Sequence, residues 1–307
     1  MSYKDLKIVF MGTPDFAVAS LDALLRAECN VVAVITAPDK PAGRGMKLSE
    51  SAVKKFATEK KLKILQPDKL KNPDFINELK LLQANVQIVV AFRMLPEVVW
   101  DMPPMGTINL HGSLLPNYRG AAPINWAVIN GEKQTGVTTF KLQQEIDTGN
   151  ILLQKGFDIG ENETAGEVHD KMKIIGAELL VETLKRLADG TLKEMQQPIT
   201  QIKPAPKLHT ETCKIDWNKT VDETHNLIRG LSPYPGAFTF LNNKMLKTYC
   251  SKKEYAKPVH AAGQAVSDNK TFIKFACSNG YIYINELQLE GKKKMSVEDF
   301  LRGNKIN

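Results

Sequence analysis

Short apolar runs separated by helix-like stretches fill the first half of this chain, and that alternation limits the fold more than any other feature. Residues 6–11 form a short run, apolar but for Lys7, that stops at Gly12; residues 14–26 follow with Phe16, Leu21, Leu24 and Leu25 spaced for one face of a helix. Residues 31–36 and 86–91 are further short apolar strands bounded by turn residues. Residues 106–111 and 136–141 continue the series, with 123–130 as a helix between them. Strands this apolar, separated by helices, assemble as a parallel sheet covered on both faces. The first half is therefore expected to be α/β, a doubly wound Rossmann-like parallel sheet.

The pattern changes further on. Thr164 and Glu167 have capping-box spacing, and Val168, Met172, Ile175, Leu179, Leu184 and Leu187 recur at helical intervals. This predicts a helix over 164–188, closed by Gly190. Gln196-Gln197-Pro198 and Lys203-Pro204-Ala205-Pro206 read as an extended linker. One helical stretch, 221–231, precedes short alternating segments at 237–241, 246–250, 272–277 and 281–289. Those segments predict a smaller C-terminal β-barrel of OB-like type. The expected organisation is a domain over 1–189, a linker over 190–207 and a barrel over 208–307.

The charge divides at the same place. Residues 203–307 hold 17 Lys+Arg against 10 Asp+Glu, so the whole net charge of +7 lies there and the first 202 residues sum to zero. A basic segment attached to a neutral one suits an acidic macromolecule, although a merely soluble basic surface would show the same excess. No run approaches the roughly 18 apolar residues of a membrane span, and the first residues carry no signal-peptide pattern. Cys29, Cys213, Cys250 and Cys277 are scattered with no Cys-x-x-Cys pair, which reads as free thiols and no zinc site. A cytoplasmic chain without a metal or a membrane partner is the expectation. Met11-Gly12-Thr13-Pro14 lacks the later glycines of a dinucleotide-binding turn, so nicotinamide chemistry is not indicated.

Ile108-Asn109-Leu110-His111-Gly112-Ser113-Leu114-Leu115-Pro116 draws the eye because apolar strand residues run into Asn, His and Ser. In an extended chain Asn109 and His111 face the same side, at the carboxyl edge where open α/β sheets bind ligands. An amide donor and an imidazole there could stabilise an oxyanion and move a proton. The same pair could equally be a satisfied structural one. Asp147, in Glu145-Ile146-Asp147-Thr148-Gly149, is either an ordinary turn residue or a carboxylate brought beside them.

Taken together, Asn109-x-His111-x-Ser113-Leu114-Leu115-Pro116-x-Tyr118-Arg119-Gly120-x-x-Pro123 and Asp147-x-Gly149 resemble the formyltransferases that use 10-formyltetrahydrofolate. The likeness extends to Met11-Gly12-Thr13-Pro14-Asp15-Phe16, to Pro38-Asp39-Lys40-Pro41-Ala42-Gly43-Arg44-Gly45 and to Ser232-Pro233-Tyr234-Pro235-Gly236. Within the family it points to the members that act on methionyl-tRNA. The resemblance implies that Asn109, His111 and Asp147 are catalytic and that Ser113, Leu114, Leu115 and Pro116 bind the reduced folate. It implies 10-formyltetrahydrofolate as co-substrate, no metal, and initiator methionyl-tRNA rather than DNA as partner. It also implies that Lys40, Arg44 and Lys47, on a basic loop after the second strand, contact tRNA, with Lys207, Lys244, Lys247 and Lys292, Lys293 and Lys294 as further contacts from the basic domain. Without that context the loop reads as a mobile surface connection. The chain departs from the family pattern at Ala91-Phe92-Arg93-Met94-Leu95-Pro96 and at Gln144-Glu145-Ile146. A monomer is expected, since no extended heptad pattern is present. Two rivals are formyl transfer to a small amine and an RNA-binding protein without catalysis.

Overall fold

The computed structural model describes residues 2–42, 47–198 and 202–306, and these form two compact units. One holds residues 2–120, Gly136–Phe157 and Asp170–Pro204; the other holds Ala121–Thr135, Asp158–His169 and residues 205–306. Two segments from the middle of the chain thus belong with its C-terminal third.

Seven strands build the sheet of the first unit: β1 (Ile8–Gly12), β2 (Val31–Ile35), β3 (Ile64–Leu65), β4 (Val86–Val90), β5 (Thr107–His111), β6 (Gln134–Lys141) and β7 (Ile151–Asp158). Their spatial order is β7-β6-β5-β4-β1-β2-β3. From β5 through β3 all neighbours are parallel. The chain runs outward from β1 through β2 and β3, then resumes on the other side of β1 as β4. That reversal is a topological switch, with ligand-binding space expected at the carboxyl ends of the strands. Every residue of β1 and β4 is buried, as a sheet covered on both faces requires. Helices α1 (Asp15–Arg26), α2 (Ala52–Glu59) and α3 (Pro73–Leu81) connect the strands. Phe75 and Leu79 of α3 pack with Val9, Met11, Ile35 and Val89 from the strands. Gly12 lets α1 approach β1 closely: a Cβ there would lie 2.6 Å from that of Ala17.

One expectation is corrected. Residues 136–141 extend the sheet, but β6 runs antiparallel to β5, pairing Asn109 with Phe140 and His111 with Thr138. A parallel neighbour needs a crossover helix packed on the sheet. The helix between these strands, α4 (Pro123–Ile129), belongs to the second unit, so the sheet is mixed. The helix predicted over 164–188 is present as α5 (Ala165–Asp189). Thr164 Oγ1 accepts from the Glu167 amide, while the Glu167 carboxylate accepts from the Thr164 amide, and Gly190 follows at φ +77°.

In the second unit, α6 (Val221–Gly230) packs with six strands: β8 (Ala237–Leu241), β9 (Lys244–Tyr255), β10 (Ala265–Ser267), β11 (Ile273–Cys277), β12 (Gly280–Leu289) and β13 (Met295–Ser296). The order is β8-β9-β12-β11-β10, with β13 also on β12, and the pairs are antiparallel. Register shifts around Cys250 in β9 bend the long strand. The barrel expected from sequence takes the form of a curled half-barrel; among the described residues β8 and β10 remain its unjoined edges. Trp217 stacks on Phe275 at 4.6 Å between ring centroids and donates Nε1–H to Thr239 Oγ1, consistent with a core role. The helix α4 packs in this unit, where Asn125 donates to the Gly230 carbonyl.

Candidate active site

Asn109 and His111 occupy alternate positions at the carboxyl end of β5, so they share one face. Leu110, between them, points to the other face and meets Gly176 of α5, where an added Cβ would lie 2.9 Å from Leu110 Cδ2. The helix thus covers the opposite side of the strand. Asn109 is half-buried, and among the described residues its side chain has no hydrogen-bond partner.

His111 is 7% exposed. Its Nε2 lies 2.9 Å from the Tyr118 carbonyl oxygen. A carbonyl only accepts, so Nε2 carries hydrogen and the neutral ring leaves its lone pair on Nδ1. Nδ1 lies 3.8 Å from Asp147 Oδ2. The ring also meets Phe140 edge-on, at 6.4 Å and 82°. Tautomer and orientation are therefore set from both sides, and Nδ1 is the nitrogen able to exchange a proton.

Asp147 follows four exposed residues, 143–146, yet is only 9% exposed itself. Its Oδ2 accepts from the Gly120 amide at 2.9 Å. Its φ is +55°, a left-handed conformation that costs a residue with a Cβ about 1–2 kcal/mol unless local bonds support it. Here the support is long-range and comes from Gln197, whose Nε2 donates to the carbonyls of Asp147 and Gly149, both at 2.8 Å. Gly149 admits no side chain, because a Cβ there would lie 1.7 Å from the Lys141 carbonyl oxygen.

The stretch after His111 is tied to β6 and β7. Ser113 is fully buried and donates Oγ–H to the Asn117 carbonyl at 2.6 Å. Thr138 Oγ1 donates to the Ser113 carbonyl and accepts from the Leu115 amide; Gln154 Nε2 donates to the Leu115 carbonyl. Leu115 packs with Phe140 and Ile151, while Leu114 and Pro116 are half-buried. The Ser113 hydroxyl and the Leu115 side chain are thus committed within the protein. Arg93, in the segment that departs from the family pattern, is likewise committed, donating to the carbonyls of Pro67 and Asp68.

The structure brings Asn109, His111 and Asp147 to one neighbourhood. Lys40 is exposed on a two-stranded hairpin, Lys40–Ala42 with Lys47–Ser49. Arg44 and the Lys47 side chain lie outside the described residues. The hairpin's entry is anchored at Asp39, which bonds Lys54 and accepts from Gln66 Nε2 at 2.9 Å. The Lys54 ammonium, then Gln66, hold the Asp39 carboxyl below its ordinary value. Sequence reasoning missed Gln197, read as linker, and the backbone groups of Tyr118 and Gly120. Gln197 lies 50 positions from Asp147, and no periodicity or motif marks it.

A mixed sheet with an Asn–His–Asp constellation at its carboxyl edge, joined to a curled β unit, matches a known family over both parts. Residues 6–184 match the formyl transferase family and residues 207–305 match the formyl transferase C-terminal domain. The chain belongs to the formyl transferase family. It is 50% identical to the methionyl-tRNA formyltransferase of Azobacteroides pseudotrichonymphae, over 99% of this chain and 98% of that protein. Identity to the methionyl-tRNA formyltransferase of Flavobacterium johnsoniae is 52%, over 97% of this chain and 96% of that protein. In fold it is similar to the N-formyltransferase of Helicobacter canadensis, solved with folinic acid and dTDP-3-aminofucose. The TM-score is 0.68 at 21% identity, covering 94% of this chain and 100% of that one.

Proposed function

We propose that this chain transfers the formyl group of 10-formyltetrahydrofolate to the free amino group of initiator methionyl-tRNA, in support of translation initiation. The meeting of Asn109, His111 and Asp147 at one strand end carries the reading, and the full-length relatives at about 50% identity support the choice of substrates. The methionyl amine, uncharged when it reacts, attacks the formyl carbon. The Asn109 amide, unpartnered among the described residues, donates to the formyl oxygen as negative charge builds there. His111, with hydrogen fixed on Nε2 by Tyr118, adds a proton at Nδ1 beside Asp147 and stabilises the same charge. Asp147 helps to remove the amine proton through water. His111 then returns a proton to the departing nitrogen.

Folate binding is assigned to Ser113, Leu114, Leu115 and Pro116. With the Ser113 hydroxyl internally bonded, the contacts come from backbone and from the half-buried Leu114 and Pro116. Neither a metal nor a covalent enzyme intermediate enters this chemistry. The first unit, which runs through Pro204, carries the catalysis, and the basic 208–307 grips tRNA, with Lys40, Arg44 and Lys47 reaching its acceptor end. Lys244, Lys292 and Lys293 are exposed and without an ion pair among the described residues; Lys294 is paired with Glu286 and is the weaker contact. The enzyme works as a monomer in the cytoplasm, a reducing compartment suited to its four free cysteines. Among the described residues no helix is long and apolar enough to cross a membrane.

Transfer of labelled formyl from 10-formyltetrahydrofolate to methionyl-tRNA, with an amino sugar and free methionine in parallel, tests this. Product on charged initiator tRNA alone is the expected result. Turnover of the amino sugar without the tRNA would overturn the acceptor.

A further inference from the structure

Asp147 depends on a side chain far along the chain. Gln197 is 6% exposed, and each atom of its amide is spoken for. Nε2 donates to the carbonyls of Asp147 and Gly149. Oε1 accepts from Nε and Nη2 of Arg119. Carbonyls only accept and a guanidinium only donates, so this amide has one possible orientation. One side chain therefore fixes the carbonyls of the residues before and after Thr148 and holds Arg119, whose neighbour Gly120 donates its amide to Asp147 Oδ2. The carboxylate is thus held from its backbone and from its oxygen by groups tied, directly or through one peptide, to Gln197.

The loop leading to Asp147 supplies little of this restraint. Residues 143–146 are exposed, with Ile146 at 60%, and the local bonds join Gln143 to Thr148 and Thr148 to the Glu145 carbonyl. Without the Gln197 clamp, a left-handed aspartate at the end of an exposed loop would sample other positions. Displacement of a reacting group by about 1 Å can cost on the order of 100-fold in rate.

We infer that Gln197 is a positioning residue for the formyl transfer, setting the Asp147 carboxylate against His111 without touching either substrate. The inference rests on the catalytic reading of Asp147 given above. Gln197→Glu keeps size and a partner for Arg119 but turns a carboxylate oxygen toward two carbonyl oxygens. Gln197→Ala removes both sets of bonds.

The test is a double-mutant cycle with Asp147→Asn on the full chain, reading kcat and both KM values, with thermal midpoints recorded. Both Gln197 variants are expected to lower kcat at least about tenfold, with KM for folate and tRNA changed less than about threefold. In the Asp147→Asn background the same substitutions should change kcat by less than about threefold, because the residue they position is already gone. Equal losses in both backgrounds would reveal a general structural role and overturn the inference. Gln197 variants within threefold of wild type beside a crippled Asp147→Asn would overturn it while leaving the catalytic reading intact. An Asp147→Asn enzyme of wild-type rate would remove the catalytic reading, and this inference with it.

Discussion

The end of strand β5 and the surface of the half-barrel follow opposite plans. At β5 a few polar groups are nearly buried and each has a fixed donor or acceptor: His111 to Tyr118, Asp147 to Gly120, Gln197 to two carbonyls. On the half-barrel the lysines are spread along strands and turns. Lys244, Lys292 and Lys293 are exposed, while Lys253, Lys274 and Lys294 are engaged by carboxylates. A concentrated, desolvated site acts by geometry, so one atom matters. A dispersed charged surface acts by summed field and counterion release, so no single residue dominates.

The sharpest expected contrast comes from Asn109→Ala. On the proposed oxyanion role, this loss of a donor should lower kcat about 100- to 1,000-fold, equivalent to roughly 2.7–4 kcal/mol; a rate within a few-fold of wild type would break the comparison at its strongest point.

The next concerns a buried group on the half-barrel side. His225 of α6 is 2% exposed and bonds Ser251 Oγ through Nδ1. Burial, reinforced by the Lys253 and Arg229 cations, depresses its pKa to about 4. The unfolded chain takes up this proton near pH 6.5 and the folded one only near pH 4. The neutral ring's contribution is therefore complete above about pH 6.5 and is lost as pH falls towards 4. Its size is about 3 kcal/mol. Urea melts of wild type and His225→Gln across that window should show the extra slope only in the wild type, with kcat at neutral pH similar in both.

Smaller again is the effect of surface charge. Changing Lys244, Lys292 and Lys293 together to Ala should raise KM for methionyl-tRNA about tenfold at low salt, with kcat retained. The log–log salt dependence should flatten by about 0.7–0.9 per lost contact. Any one of the three substitutions alone should stay within about threefold. A single lysine that abolished binding would refute the dispersed plan.

The sequence carried the parts of this fold that depend on local periodicity. Helix α5, with its Thr164–Glu167 cap and Gly190 stop, is written in adjacent residues, as are β1, β2 and β4. The direction of β6 was not legible, because an apolar strand has the same pattern whichever way it runs; what decides is the packing of the helix before it. At the candidate site, Asn109 and His111 could be placed on one face from strand alternation alone. Bringing Asp147 to them required the family resemblance. Gln197 escaped even that, since a glutamine before proline in a polar stretch looks like solvent-facing connection until the two carbonyls it meets are known.

That clamp also governs how the polypeptide can be divided. Beyond α5 the chain does not simply depart: Met195 exchanges backbone bonds with Ile151, and Asn150 donates to Glu194, before Gln197 turns inward. A fragment ended at residue 189, after the last helical turn, would retain Asn109, His111 and Asp147 and lose what steadies the third of them. Sequence inserted just after Gly190 is therefore expected to disturb the Asp147 carboxylate, although it lies 43 positions away along the chain.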